Sequence, residues 1–247
     1  MGGLLVLSDI HGNACALRAV LEDARGWDEV LVLGDIVDYG PSPGEALDII
    51  RGLGARVVRG NHDHAAAYGV DCRCGEATRW LSHWTRENIT LRQLSKRDLE
   101  YLASLPVRVD LDLGNLKLTA VHGSPADPLY DYLNPALPDA ELHRRLGEPK
   151  PGTLYLVGHT HLQFYRVLHG TRLANPGSVG QPRDGDPRAA YAIIKPETGT
   201  VEFHRVKYDV DRVVSKLEEM GVPEPYLGGL AYLIRKAEAP PRPSRPA

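Results

Sequence analysis

The amino-terminal third alternates between compact apolar runs and stretches with helical spacing: "GLLVLSD", "NACALRAVLEDA", "EVLVLGD", "GEALDIIRGLG" and "ARVVRGN" follow one another with little between them. Apolar residues three and four apart predict helices in the second and fourth segments. The short apolar runs between them predict strands. Strand, helix, strand, helix, strand is the pattern of a wound α/β sheet.

Residues 64–105 break that rhythm with two or three amphipathic helices, in which Trp80 and Trp84, one turn apart, are expected to pack between helices. From Val107 strands return ("VRVDL", "LKLTAVHG", "TLYLVGHTH", "FYRVLHGTRLAN", "AAYAIIK", "TVEFHRVKY"), separated by short turns, which predicts a largely antiparallel or mixed half. Helices are expected near Val210–Met220 and Gly229–Lys236, and the Pro-rich residues 237–247 are expected to be a disordered tail. Residues 1–236 then make one domain, with 64–105 a helical insertion near its cleft.

Composition narrows the function. A chain of 247 residues with 43% hydrophobic content can bury one large core. Its 29 basic and 32 acidic residues give a net charge of −3, so no general cationic field exists to hold a nucleic acid. No apolar run approaches the length of a membrane span, and no secretory leader is recognisable, so a soluble cytoplasmic protein is expected. Three cysteines (Cys15, Cys72, Cys74) do not suggest a disulfide framework, and the tight Cys72-x-Cys74 pair reads as small loop residues rather than metal ligands. The segment "PYLGGLAYLIRK" is apolar enough to cover a sheet edge or to join two copies, which leaves a homo-oligomer open.

The chemistry sits where the strands stop. After successive apolar runs come Asp9 and His11; Asp35 and Asp38; Asn61, His62 and Asp63; His122; and His159 and His161. In open α/β sheets the carboxyl ends of strands surround the ligand crevice. Each match alone has a plainer reading as a turn residue, a helix cap or a surface histidine. The ordered set of five is hard to explain that way. Asp, His and Asn are oxygen and nitrogen donors suited to Mn²⁺, Fe, Zn²⁺, Co²⁺ or Ni²⁺. Asp9, His11, Asp35, Asn61, His122, His159 and His161 are too many for one cation and suit two that share a carboxylate.

The set "SDIHGN", "GDIVDYGP", "GNHD", "VHGSP", "GHTH" and "NPGSVGQPRD" resembles the calcineurin-like metallophosphoesterase superfamily, and within it the small single-domain bacterial and archaeal phosphoesterases. The resemblance implies an α/β fold built as a four-layer α/β/β/α sandwich with two mixed sheets. It implies a phosphoric ester hydrolase with two divalent transition-metal ions, manganese first among Mn, Fe, Zn, Ni and Co. One ion would be held by Asp9, His11 and His161 and the other by Asn61, His122 and His159, with Asp35 bridging. His62 would protonate the leaving oxygen, Asp38 would orient His62, and a metal-bridging hydroxide would attack phosphorus.

A small phosphodiester is the favoured substrate, with a phosphomonoester next. A phosphoprotein or nucleotide-polyphosphate phosphatase and a non-catalytic protein-binding scaffold of the same fold are the alternatives. Asn13 reads equally as support behind the ligands or as a helix cap. Arg59 and Arg183 read either as forks for phosphate oxygens or as surface ion pairs. Tyr39, Tyr130 and Tyr132 are candidate substrate contacts or rim packing.

Overall fold

The computed structural model describes residues 2–148 and 150–241. Of the expected disordered tail, residues 242–247 lie outside that range, while Ala237 and Pro240 are buried. The strands are β1 (Gly3–Leu7), β2 (Trp27–Val32), β3 (Arg56–Val57), β4 (Arg108–Asp112), β5 (Lys117–Val121), β6 (Thr153–Leu156), β7 (Gln163–Leu168), β8 (Thr171–Pro176), β9 (Ala189–Lys195) and β10 (Thr200–Val206). The helices are α1 (Ala14–Asp23), α2 (Pro43–Gly52), α3 (Asn61–Tyr68), α4 (Glu76–Thr85), α5 (Leu91–Gln93), α6 (Lys96–Ser104), α7 (Asp139–Leu146), α8 (Val210–Glu219) and α9 (Tyr226–Lys236), with a π-helical turn at Arg86–Thr90. The helical region thus begins at Asn61 rather than at residue 64.

Two five-stranded mixed sheets form, with strand orders β10-β9-β1-β2-β3 and β4-β5-β6-β8-β7. In the first, β1, β2 and β3 run parallel and β9 and β10 complete it in antiparallel fashion. In the second, β5, β6 and β8 run parallel, with β4 and β7 antiparallel at the edges. The short turns expected throughout the second half therefore fail between β5 and β6. Parallel neighbours need a crossover, and here the chain makes it through α7. That helix carries its own signals: Pro138 ahead of it, Asp139 and Glu141 in its first turn, basic residues in its last and Gly147 after it.

The sheets pack face to face. Leu4, Val6, Leu31, Leu33 and Val58 meet Leu118, Ala120, Leu154, Leu156 and Ala174 between them. The alternate residues Leu5, Leu7, Val30 and Val32 face outward against Leu17, Val20, Leu47 and Ile50 of α1 and α2. On the far side, Val121, Tyr155 and Leu173 pack against Leu142 and Leu146 of α7. The layers are therefore α/β/β/α. Strands buried on both faces must be apolar without alternation, which explains the run Leu4–Leu7. Trp84 stacks on Tyr226 with centroids 4.7 Å apart, and Trp80 packs beside it, so both serve helix packing as expected. Leu230, Leu233 and Ile234 of α9 are buried against α4 and α8, so that apolar face is covered within the chain. Among the described residues no helix is long and apolar enough to cross a membrane.

Leu31 is fully buried between the sheets. Leu31→Ala should lower unfolding free energy by about 2–5 kcal/mol in urea titration; a loss below about 1 kcal/mol would contradict the intersheet placement.

Candidate metal centre

All seven candidate ligands converge at the carboxyl ends of five strands. Asp9 and His11 follow β1, Asp35 follows β2, Asn61 follows β3, His122 follows β5, and His159 and His161 follow β6. Every one is buried. His11 Nε2 lies 3.3 Å from His161 Nε2, and Asp9 Oδ1 lies 3.3 Å from His161 Nε2. On the other side His122 Nε2 lies 2.9 Å from Asn61 Oδ1 and 3.0 Å from His159 Nδ1. Asp35 Oδ2 joins the two groups, 3.8 Å from His11 Nε2 and 3.3 Å from His122 Nε2.

The remaining atom of six of the seven ligands is tied to the protein, while His159 Nε2 is buried with no partner. The Nδ1–H groups of His11, His122 and His161 donate to the carbonyls of Val37, Leu33 and Gln181, which leaves each Nε2 lone pair facing the centre. Asp9 Oδ2 accepts from Ser8 Oγ and from the His159 amide, and Asp35 Oδ1 accepts from the His62 amide. Asn61 Nδ2 donates to the Cys72 carbonyl, which turns Oδ1 inward. Asp9 Oδ1 and Asp35 Oδ2 are buried with no hydrogen-bond partner. Such oxygens are costly to leave bare, and a divalent cation is the group that this ring of carboxylate, amide and imidazole donors fits.

The electrostatics agree. Burial pushes Asp9 up to about 7 and His11 down to about 3, and it holds His159 and His161 well below the ordinary histidine range. Neutral imidazoles are the form that ligates metal. His122 differs: burial opposes its charge, but Asp35 beside it raises it to about 9. His122 and Asp35 would hold a cation in place of that proton.

Backbone geometry is strained at the same places. Asp9, His11, Asp35, His159 and His161 all have positive φ, as do Asp38 and Tyr39. That region costs non-glycine residues roughly 1–2 kcal/mol each and persists only where surrounding contacts over-determine it. Asp63 supplies some of those contacts: its carboxylate accepts from the amides of Asp35, Ile36 and Gly60. Gly60 and Gly158 let the loops nest, because a Cβ would fall 2.0 Å from Asp35 Oδ1 and 2.1 Å from Ser8 Oγ respectively. The "NPGS" loop braces the site from behind. Asn175 Nδ2 donates to the Gly158 carbonyl and Ser178 Oγ donates to that of Asp9. Asn13 caps α1, its Oδ1 accepting from the Ala16 amide, and its Nδ2 donates to the Gly180 carbonyl rather than to a candidate ligand.

His62 stands beside the ligand ring, its ring edge-on to His11 at 5.0 Å. Its Nδ1–H donates to Asp38 Oδ2 at 2.9 Å. Asp38 is also gripped by Arg86, through Nε at 3.0 Å and Nη2 at 2.5 Å, and by Thr90 Oγ1 at 2.9 Å. Burial works against both charges; nonetheless Asp35 and Asp38 raise His62, while His62 and Arg86 lower Asp38. Ser82, which accepts from Arg86 Nη2, together with Arg86 and Thr90, lines one helical face at spacing four across the π-helical turn. Sequence reasoning missed Arg86, Thr90 and the bracing role of Asp63.

The other candidates separate. Arg59 donates to the Ala103 carbonyl and to Tyr68, a structural tie. Tyr132 stacks on His159 with centroids 3.7 Å apart, Tyr39 meets His11 edge-on, and Tyr130 lies under Arg73. Cys72 and Cys74 are buried, with Sγ atoms 2.6 Å apart, and come near His62. The Arg86 guanidinium occupies the same neighbourhood and would repel a cation there. His64 packs on Tyr68 and Tyr130, His204 stacks on Tyr191, His143 and His169 pair edge-on, and exposed His83 lies near Asp71, all away from the ligand ring.

A two-layer sheet core whose strand ends gather seven metal-type donors beside a His–Asp pair is the architecture of a metallophosphoesterase. The chain belongs to the calcineurin-like phosphoesterase superfamily, whose domain model matches residues 3–199. That family uses divalent metals. An uncharacterized protein of Methanocaldococcus jannaschii is 34% identical over 252 residues, covering 94% of this chain and 98% of that protein. The crystal structure of a metallophosphoesterase from Sphaerobacter thermophilus is similar at 37% identity and a TM-score of 0.75, covering 93% of this chain and 98% of that one. A symmetrical bis(5'-nucleosyl)-tetraphosphatase of Psychromonas ingrahamii is 38% identical over 63 residues, 24% of this chain and 23% of that protein.

Arg86→Ala removes the guanidinium from a buried carboxylate. Unfolding free energy should fall by about 3–5 kcal/mol, with Arg86→Lys in between; an Arg86→Ala protein as stable as wild type in urea would contradict the pairing.

Proposed function

We propose that the chain is a dinuclear phosphoesterase of the cytoplasm that hydrolyses phosphodiester bonds in small phosphate esters by direct attack of water on phosphorus, with no covalent phosphoenzyme. The observation that carries this reading is the bare Asp35 Oδ2, set between His11 Nε2 of one donor group and His122 Nε2 of the other. In this reading Asp9, His11 and His161 would hold one cation and Asn61, His122 and His159 the second, with Asp35 available to both. The donor chemistry suits manganese first, with Fe, Zn, Ni or Co as alternatives. When bound, the two cations neutralise charge on the phosphoryl oxygens and acidify water.

The chain's own proton chemistry falls to His62. Its Nδ1 is committed to Asp38, which leaves Nε2 to give a proton to the leaving-group oxygen. Asp38 fixes the ring and its tautomer, and Arg86 and Thr90 fix Asp38. The completeness of the donor set supports an enzyme over a non-catalytic scaffold of the same fold. A second reading, hydrolysis of nucleoside polyphosphates, draws support from the local identity with the tetraphosphatase.

The test is turnover of bis(p-nitrophenyl) phosphate, p-nitrophenyl phosphate and diadenosine tetraphosphate by protein reconstituted with Mn, Ni, Co, Zn or Fe. The diester should be cleaved fastest, and His62→Ala should lower kcat by about 10²–10⁴-fold with metal content unchanged. No turnover by metal-loaded protein, or wild-type turnover by His62→Ala, would contradict the reading.

A further inference from the structure

Arg183 lies in the loop after β8, held by a neutral partner. Gln181 Oε1 accepts from its Nη2 at 2.8 Å and its Nε at 3.3 Å. The same Gln181 offers its backbone carbonyl to His161 Nδ1, so one residue sets both a candidate ligand and the guanidinium. The carboxylates nearest in sequence are already taken: Asp184 by Arg205, and Asp186 by Arg188 and Arg205. Among the described residues no carboxylate lies within ion-pair distance of Arg183.

Its loop nonetheless lies against the centre: the Gly180 amide and Ser178 Oγ both donate to the Asp9 carbonyl, and the Gln181 carbonyl next along accepts from His161 Nδ1. Of the other arginines near the site, Arg86 is committed to Asp38, and Arg59 is turned to the Ala103 carbonyl and Tyr68 through Nη1, with its Nε buried and unpartnered. A half-buried guanidinium with no anionic partner has donors left over, and their planar arrangement matches two oxygens of a phosphate group.

We propose that Arg183 forms the anion subsite of this centre, donating to non-bridging phosphoryl oxygens of the substrate on the side of Asp9, His11 and His161. This rests on the phosphoesterase reading above and names the residue that meets the phosphoryl group. Gln181 acts as its positioning residue: an amide steadies the guanidinium without cancelling its charge, whereas a carboxylate at that position would occupy the subsite's donors.

Binding of inorganic phosphate to manganese-loaded wild type, Arg183→Gln and Arg183→Lys, followed by calorimetry, tests this apart from turnover. Arg183→Gln should weaken phosphate binding by about 10-fold or more, and Arg183→Lys should weaken it less, since a point charge replaces the fork. For a cleaved ester, KM should rise more than kcat falls, with metal content and thermal midpoint unchanged. Gln181→Glu should weaken phosphate binding in the same sense. Phosphate binding by Arg183→Gln within about 2-fold of wild type, loss of metal from that variant, or no phosphate binding by wild type would overturn the proposal. Arg183-dependent phosphate binding without turnover of any ester would instead overturn the phosphoesterase reading and leave the subsite standing.

Discussion

Two carboxylate oxygens, Asp9 Oδ1 and Asp35 Oδ2, are buried inside a ring of imidazole nitrogens with no hydrogen-bond donor of the protein to meet them. Leaving an ionised carboxylate in that state costs several kcal/mol, and the two lie in one buried cluster, Asp9 Oδ1 beside His161 and Asp35 Oδ2 between His11 and His122. Much of the surrounding architecture serves to keep it. One oxygen of each carboxylate is tethered to the fold, and His11, His122 and His161 each donate one nitrogen to a backbone carbonyl, so rotation cannot relieve the crowding. A site so constrained is organised before any cation arrives, and it would lose little conformational entropy on binding one.

The two stacked sheets supply the rigidity. Each ligand sits a residue or a few beyond a strand whose faces are packed, so the strained left-handed turns at Asp9, Asp35 and His159 are braced by a core that does not yield. Division of labour follows from position. The strand ends hold ligands, the helical segment after β3 brings Ser82, Arg86 and Thr90 to the His62–Asp38 pair, and the loop after β8 brings Arg183. On the proposed reading, metal binding, proton transfer and anion recognition would thus come from different parts of the chain.

Much of this was legible in the sequence because it depends on local order. An apolar run followed by a metal-type residue, repeated in sequence, marks both a buried strand and the edge it points to, which is why all seven ligand candidates meet in space. Contacts made by helices distant in sequence left no such mark. Arg86 and Thr90 read as ordinary polar positions of an amphipathic helix, and their contact with Asp38, about fifty residues earlier, is made only by the tertiary fold. Helix α7 carries capping and charge signals, but the run of strands around it suggests hairpins where the parallel pair β5–β6 demands a crossover. Arg59 and Arg183 were indistinguishable by type; the neutral partner of one and the carbonyl tie of the other separate them.

The central claim is that the bare oxygens of Asp9 and Asp35 mark seats for two divalent cations. Elemental analysis of the purified protein after manganese reconstitution and removal of free ion, read alongside its thermal midpoint, measures this directly. Two ions per chain, with a midpoint that rises saturably with manganese as ligand binding to the folded state requires, is the expected result. A chain that retains no ion, with a midpoint indifferent to manganese, would contradict the account.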